Sequence, residues 1–319
     1  MRVNFKLFFI ALLLSLPFWW GINVLEVNLN DLFYWGEISQ NQKVFAAQIA
    51  LEEQLRDLKP FRDRGVADLD IQAKSAITVF LDNDGAEKFL FAKESNQRLS
   101  IASLTKLMTA FVTTEYYNLE NEIIISEEAI RQEGDFGKLK AGQVFPTEYL
   151  LYPLLMESSN DAAFALADDY EDMSEKKFVE LMKWEAEKLK MNDTFFDNAT
   201  GLDPEESGTL MNYSTVNDLV KLTEELLKKP LIWEILQTQR YSLYGPELIN
   251  SNELLGEIPG VIGGKTGYTG KAGGCMILVT QAPKSQGCLI SVVLGANGTQ
   301  DRFGEMEKLV NWVETAYKW

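Results

Sequence analysis

The chain of 319 residues is 46% hydrophobic and 24% charged, proportions that fit a folded globular protein and exclude a disordered, collagen-like or disulfide-scaffold chain. It contains no histidine, which excludes a Ser-His-Asp triad, a Cys-His pair and histidine-ligated zinc hydrolysis. The formal net charge of −17 repels phosphate backbones, so we expect no nucleic-acid partner. Any hydrolytic base must then be a lysine, a tyrosine or a carboxylate.

The first segment of the chain is predicted to be a transmembrane anchor. Residues 7–25 carry no charge, and as a helix they would be about 28 Å long, close to the hydrocarbon thickness of a bilayer. Arg2 and Lys6 precede the segment and acidic residues follow it, which predicts a cytoplasmic tail over 1–6 and export of the rest. A cleaved signal peptide is the alternative, but no small-residue cleavage site closely follows the apolar core.

A juxtamembrane linker is predicted over residues 26–70. Within it, apolar residues recur every three or four positions over 41–59, as in an amphipathic helix, which Pro60 ends. Residues 71–319 then form the catalytic domain.

This domain is predicted to be α+β, with one antiparallel sheet of about five strands flanked by helices, plus a helical subdomain. Runs rich in β-branched and aromatic residues predict strands at 76–81, 87–92, 261–268, 274–281 and 289–295. Apolar periodicity predicts helices over 103–117, 149–169, 176–190, 215–228 and 301–318. Ser214 or Thr215 is expected to cap the fourth helix, and Thr215 and Asp218 fit a capping box. Because strands lie at both ends of the domain, both ends are expected to complete one sheet.

The two cysteines are predicted to be free, buried thiols. Cys275 and Cys288 lie on strands joined by a turn over 283–286, in which Cys288 faces roughly Gln281. That register places the two residues roughly 20 Å apart, beyond the reach of a disulfide.

The first motif with chemical meaning is SLTK, which contains Ser103 and Lys106. A spacing of three places both side chains on one face of a helix, and the first turn of that helix favours developing negative charge. Without histidine, a desolvated lysine is the candidate base for the serine hydroxyl. A pair on a surface helix is the alternative, but the surrounding residues are apolar on nearly every side of the helix.

The second motif is Ser158-Ser159-Asn160, which lies between two apolar runs. An ordinary turn between helices is the alternative interpretation, because serine and asparagine often cap helices.

The third motif is Lys265-Thr266-Gly267, in the glycine-rich segment GVIGGKTGYTGKAGG. It is not a nucleotide-binding P-loop, because Pro259 stands where that loop needs glycine and because a strand, not a helix, is predicted to follow. A glycine-rich strand instead lets a substrate backbone lie against it.

The three motifs, in the order SxxK, SxN and KTG, are typical of the penicillin-interacting serine enzymes. The segments IASLTKLMTA, LLMESSNDAAFALAD, DTFFDNATGLD, YSTVNDLVKL and VIGGKTGYT narrow the match. Residues 71–318 resemble the low-molecular-mass penicillin-binding proteins, the serine D-alanyl-D-alanine carboxypeptidases of peptidase family S11. The resemblance implies the fold shared by serine β-lactamases and DD-peptidases. The family usually has glycine in place of Ser159, a difference we expect to be tolerated.

The resemblance also implies roles for five catalytic residues. Ser103 would attack the carbonyl between the last two D-alanines of a peptidoglycan stem peptide. Lys106, neutral because it is buried and crowded by Lys265, would accept the proton. Ser158 would relay that proton to the departing D-alanine, and Asn160 would position Lys106 and the substrate amide.

Substrate-binding roles are implied for Thr266, Gly267, Tyr268 and Arg302. The backbone N–H groups of Tyr268 and of the nucleophile would form the oxyanion hole, and Thr266 and Arg302 would hold the terminal carboxylate. A solvated surface arginine is the alternative for Arg302. The resemblance implies β-lactams as covalent inhibitors and no metal or organic cofactor.

Three alternative functions are kept. A DD-endopeptidase of the same family would cut peptidoglycan cross-links, and motifs do not report the pocket shape that separates it from a carboxypeptidase. A class A β-lactamase would need a glutamate in an ExxxN pattern, and no glutamate lies between Asn192 and Pro204. A non-catalytic, membrane-tethered peptidoglycan-binding module would not need intact motifs. In each case, we expect a single-pass protein of the bacterial cytoplasmic membrane with its catalytic domain outside.

Overall fold

The computed structural model describes residues 60–134, 137–204 and 211–319. The predicted anchor over 7–25 and the predicted linker helix over 41–59 lie outside these residues. Within the described residues, no helix is both long and apolar enough to cross a bilayer. Arg62–Trp319 forms one compact unit.

A five-stranded antiparallel sheet forms the centre of this unit. Its strands are β1 (Ser75–Asp82), β2 (Glu87–Lys93), β3 (Val261–Thr269), β4 (Gly273–Gln281) and β5 (Gly287–Ala296). The order across the sheet is β3-β4-β5-β1-β2, so the N-terminal hairpin joins the C-terminal strands through the β5–β1 pair. The prediction of an α+β fold with one sheet completed from both ends is confirmed. Shorter strands are Phe61–Arg62, Leu99–Ser100, Glu122–Ile124, Val144–Pro146, Tyr213–Ser214, Arg240–Tyr241, Leu248–Ile249 and Tyr317–Lys318.

Helices cover both faces of the sheet. They are α1 (Thr105–Tyr116), α2 (Thr147–Leu155), α3 (Asn160–Asp168), α4 (Glu175–Lys188), α5 (Val216–Leu226), α6 (Pro230–Gln237) and α7 (Asp301–Ala316). Short 3-10 turns occur at Ala102–Leu104, Ala129–Arg131 and Pro283–Ser285. The helix α7 packs on β4 and β5, whereas α5 packs on β5 and β1 and α6 on β3.

Strand β4 shows why the sheet is covered on both sides. Successive side chains of a strand point to opposite faces. Cys275 and Ile277 belong to the hydrophobic cluster that contains α1 and the other helices of the subdomain, whereas Met276 and Leu278 belong to the cluster under α7. A strand buried on both faces is therefore a nearly continuous apolar run, as this one is in the sequence.

The single helix predicted over 149–169 is wrong, because the structure has two helices there. Pro153 lies inside α2, and Ser158 has a positive φ of +66°, which interrupts the helical backbone. The helix α3 then starts afresh, with the Ser159 hydroxyl accepting a hydrogen bond from the Ala162 N–H at 3.2 Å. The helix α6 was not predicted, although Pro230 in its first turn is a common start signal.

The cap of α5 is confirmed for one of its two halves. Thr215 accepts the Asp218 N–H at 3.1 Å, as a capping residue does. The reciprocal bond of a capping box is not formed, because the Asp218 carboxylate instead accepts the Asp193 N–H and the Thr194 hydroxyl.

Both cysteines are free, as predicted, and Cys288 pairs with Gln281 across β4 and β5. Cys275 is fully buried, and its thiol lies 3.8 Å from the carbonyl oxygen of Ser100. Cys288 is only partly buried, so the prediction of burial holds for Cys275 alone. Burial raises the pKa of each thiol to about 11.

Candidate active site

The three sequence motifs meet at one cavity of about 360 Å³. Ser103 from the first motif, Ser158 and Asn160 from the second, and Thr266 from the third all line it, together with Arg302 from α7. Residues far apart in the sequence are thus brought together by the packing of helices against the edge strand β3.

The nucleophile candidate Ser103 lies in the 3-10 turn immediately before α1, one step earlier than the first helical turn that was predicted. Its neighbour Ala102 has a φ of +48°, a conformation that is strained for a residue with a side chain. Two glycines give this turn room. A Cβ atom on Gly201 would lie 2.1 Å from the Ala102 carbonyl oxygen, and one on Gly267 would lie 3.0 Å from the Ser103 nitrogen.

Lys106 is fully buried, and its Nζ lies 3.0 Å from the Ser103 hydroxyl oxygen. The same nitrogen donates to the Asn160 side-chain oxygen at 2.6 Å and to the Thr200 carbonyl at 2.5 Å. Burial, reinforced by the charge of Lys265, holds the pKa of Lys106 well below its usual range. A neutral amine has two N–H groups, and both go to oxygens that can only accept. Its lone pair is therefore left for the Ser103 hydroxyl, which can donate.

Lys265 comes from the regular strand β3 and is also buried. Its Nζ donates to the Ser158 hydroxyl at 2.8 Å and to the Thr266 carbonyl at 2.9 Å. Burial, with the positive charge of Arg302, lowers the pKa of Lys265 to about 7. A second lysine that exchanges its proton near neutral pH therefore contacts the second serine of the site.

Asn160 connects the two helical motifs. Its side-chain oxygen accepts from Lys106, while its amide nitrogen donates to the Glu133 carbonyl at 2.5 Å. Since both ends of the amide are engaged, the orientation of the oxygen toward Lys106 is fixed. The adjacent Ser159 points away from the cavity into the cap of α3, with no exposed surface.

Thr266 and Arg302 form the end of the cavity where a carboxylate is expected. The Thr266 hydroxyl lies 2.8 Å from the Ser251 hydroxyl. One guanidinium nitrogen of Arg302 donates to the Gly267 carbonyl at 3.1 Å, while its Nε is buried without a hydrogen-bond partner among the described residues. Arg302 is thus a partly buried cation lining the cavity, and the alternative of a solvated surface arginine is wrong. Tyr268 lines the same cavity with 47% of its surface exposed.

Three residues of the site were missed by the sequence analysis. The carbonyl of Thr200 accepts from Lys106, and the Asn198 side chain holds that loop by accepting the Thr200 and Gly201 N–H groups at 3.2 and 2.7 Å. The glycine in the sequence NATG was the available signal. Glu157 and Ser251 also line the cavity, and nothing in their local sequence distinguishes them from surface residues.

This arrangement defines a class of enzyme. A serine hydroxyl in contact with a buried lysine of lowered pKa, in a chain without histidine, is the site of a serine hydrolase that uses lysine as its base. Residues 62–298 match the family described as D-alanyl-D-alanine carboxypeptidase, peptidase S11, and the chain belongs to this family.

Characterised relatives carry two activity names. The chain is 33% identical over 259 residues to the D-alanyl-D-alanine carboxypeptidase DacF of Bacillus subtilis, which covers 77% of this chain and 63% of that protein. It is 31% identical over 237 residues to a D-alanyl-D-alanine endopeptidase of Pseudomonas aeruginosa, covering 72% of this chain and 74% of the relative. The chain thus spans less than two thirds of the Bacillus relative.

Solved structures show the same fold. The DD-transpeptidase of Streptomyces K15 superposes with a TM-score of 0.71 at 26% identity, covering 78% of this chain and 100% of that one. Penicillin-binding protein D2 of Listeria monocytogenes, in its cefotaxime-bound form, superposes with a TM-score of 0.65 at 28% identity, with coverage of 78% and 100%.

Proposed function

We propose that the chain is a serine D-alanyl-D-alanine carboxypeptidase that removes the terminal D-alanine from peptidoglycan stem peptides. The observation that carries this proposal is the contact of Lys106 with Ser103, in which two other acceptors occupy the N–H groups of the amine. Membership of the S11 family and the name of the Bacillus relative support the choice of substrate.

The first half of the reaction forms an ester on Ser103. Its hydroxyl oxygen attacks the carbonyl between the two D-alanines while the proton passes to the Nζ of Lys106. The backbone N–H groups of Ser103 and Tyr268 stabilise the oxyanion, each donor contributing ~3–4 kcal/mol. Ser158 then passes a proton to the amine of the departing D-alanine, and its contact with Lys265 keeps its hydroxyl within the site. Water hydrolyses the ester and frees the enzyme.

The substrate is proposed to lie along β3. This strand is at the edge of the sheet, so its outer N–H and C=O groups are free to pair with an extended peptide. Gly267 allows the close approach between this strand and the nucleophile turn. The terminal carboxylate of the peptide then reaches Thr266 and Arg302, whose Nε lacks a partner among the described residues.

The same carboxylate contact separates the two peptidase activities. A carboxypeptidase substrate ends in a free carboxylate one residue beyond the cut bond, which a guanidinium can bind. The placement of Arg302 in the cavity of Ser103 favours this activity over the endopeptidase. The endopeptidase name of the Pseudomonas relative keeps cross-link cleavage as the second candidate.

The location of the protein is part of the proposal. The uncharged segment over 7–25 and the charges on either side support a single-pass anchor in the bacterial cytoplasmic membrane, with the catalytic domain outside. Such a location would place the cavity next to its peptidoglycan substrate.

Labelling with a fluorescent penicillin tests the proposal, because a β-lactam forms the same ester on Ser103. We expect the wild-type chain to retain the label and Ser103→Ala to take none while keeping its fold. Digested peptidoglycan should then release free D-alanine. Split cross-linked dimers would favour the endopeptidase, rapid loss of label would favour a β-lactamase, and a wild-type chain without label would favour a non-catalytic binding module.

A further inference from the structure

Glu157, immediately before Ser158, uses its two carboxylate oxygens on two different segments. One oxygen accepts the Gly137 N–H at 2.9 Å, and the other accepts the Ile249 N–H at 2.9 Å. Both bonds are short, and in each the acceptor is a carboxylate, which makes them stronger than bonds between neutral groups. The side chain is partly buried and lines the cavity.

The first bond fixes the side of the cavity at the second motif. Gly137 has a φ of +83°, and a Cβ atom there would lie 2.8 Å from the Ser159 hydroxyl and 2.9 Å from Pro153. Its backbone therefore packs directly against the residues on either side of Ser158. Ser158 itself has a positive φ, which persists only when surrounding contacts determine it.

The second bond fixes the side of the cavity at the third motif. Ile249 is two residues before Ser251, whose N–H donates to the Met156 carbonyl at 2.8 Å. These two alternate N–H groups of one extended segment are thus held by Met156 and Glu157, neighbours in the chain. Ser251 in turn contacts the Thr266 hydroxyl at 2.8 Å, where the substrate carboxylate is expected.

We propose that Glu157 is a positioning residue, which sets the distance between the Ser158 side and the Thr266 side of the cavity by accepting one N–H from each. This inference rests on the proposed function. Glu157 makes no printed contact with the reacting groups: Lys106 is held by Asn160 and Thr200, which do not depend on it. Its loss should therefore slow acylation without moving the pH at which Lys106 becomes neutral.

Glu157→Gln is the test variant. A glutamine of nearly the same shape has one accepting oxygen, and its NH₂ group would face an N–H, so one of the two bonds is lost. We expect the second-order rate of acylation by fluorescent penicillin to fall about tenfold, and that of Glu157→Ala to fall further, since both bonds are then lost. Glu148→Gln on α2 makes the same chemical change at an exposed position and is the matched control.

Rates are to be measured per penicillin-binding site, with thermal unfolding and a pH profile recorded for each variant. A tenfold slower rate per site, with the pH profile of the wild type, supports the proposal. A rate per site equal to that of Glu148→Gln, or a loss explained entirely by fewer binding sites, would overturn it. A wild-type chain that takes no label would contradict the proposed function, and this inference with it.

Discussion

The two sides of the cavity are built in different ways. The sheet side is one regular strand, in which Lys265 pairs in register with Ile277 and Thr266 with Met276. The helical side places its serines at interruptions of helical structure, with Ala102 and Ser158 in positive-φ conformations. The comparison indicates that the sheet supplies a straight surface for the substrate, whereas the reacting hydroxyls require strained backbone that neighbouring contacts hold in place.

The lysines of the two sides also differ from those on the surface. Lys188 and Lys308 pair with carboxylates at 2.7 and 2.6 Å, as exposed lysines commonly do. Lys106 on the helical side and Lys265 on the sheet side are buried, and no carboxylate of the described residues contributes to their pKa shifts. Burial without a counter-ion is what makes a lysine available as a base near neutral pH.

The largest effect is expected on the helical side, from Lys106→Arg. Arginine keeps the positive charge but does not release its proton in the accessible pH range, so it cannot act as a base. Acylation by penicillin should slow by about 10²–10⁴-fold, the usual contribution of a general base. Stopped-flow labelling measures it. A rate near that of the wild type would reduce Lys106 to an electrostatic role.

The next effect is expected at the end of the cavity, from Arg302→Ala. Loss of the carboxylate contact should cost about 2–5 kcal/mol in kcat/KM on a peptide ending in D-Ala-D-Ala. Amidating the peptide should cost the wild-type enzyme a similar amount and the variant little more, because both changes remove one interaction. Additive losses would show that Arg302 does not bind the carboxylate and would place the endopeptidase first.

On the sheet side, Lys265→Gln should shift the pH dependence of acylation. The charge of Lys265 lowers the pKa of Lys106, so its removal raises that pKa. Lys106 then stays protonated to higher pH, and the acidic limb of the acylation profile moves upward, with a loss of roughly tenfold at neutral pH for a shift of one pH unit. Lys188→Gln, at a paired surface lysine, should leave the limb in place. A downward shift of the limb would contradict the assigned coupling.

The smallest effect is expected from Ser159→Gly, which restores the residue usual in the family. Glycine at an N-cap costs only a few tenths of a kcal/mol relative to serine, so the free energy of unfolding should change by less than about 1 kcal/mol. Acylation should stay within roughly twofold, because the Ser159 side chain points into the cap of α3. Chemical denaturation and labelling measure the two quantities, and a marked change in labelling alone would give Ser159 a part in the site.

The same contrast explains what the sequence could predict. The sheet follows from local alternation and turn residues, so β1 was placed within one residue at each end. The motif spacing together with family resemblance identified Ser103 and Lys106. The break between α2 and α3 was missed because apolar periodicity continues through Met156, and positive φ at a serine has no sequence signature. The contact of Thr200 with Lys106 joins residues 94 positions apart, which local patterns do not report.

The thiol of Cys275 has a practical consequence. Its backbone pairs with Gly267, so it lies behind the strand that forms the sheet side of the cavity. Because it is buried and stays protonated at neutral pH, an alkylating reagent can reach it only when that edge of the sheet opens. The partly buried Cys288 provides an internal reference. The native chain therefore carries its own chemical clock for opening at the catalytic edge, and bound antibiotic should slow it.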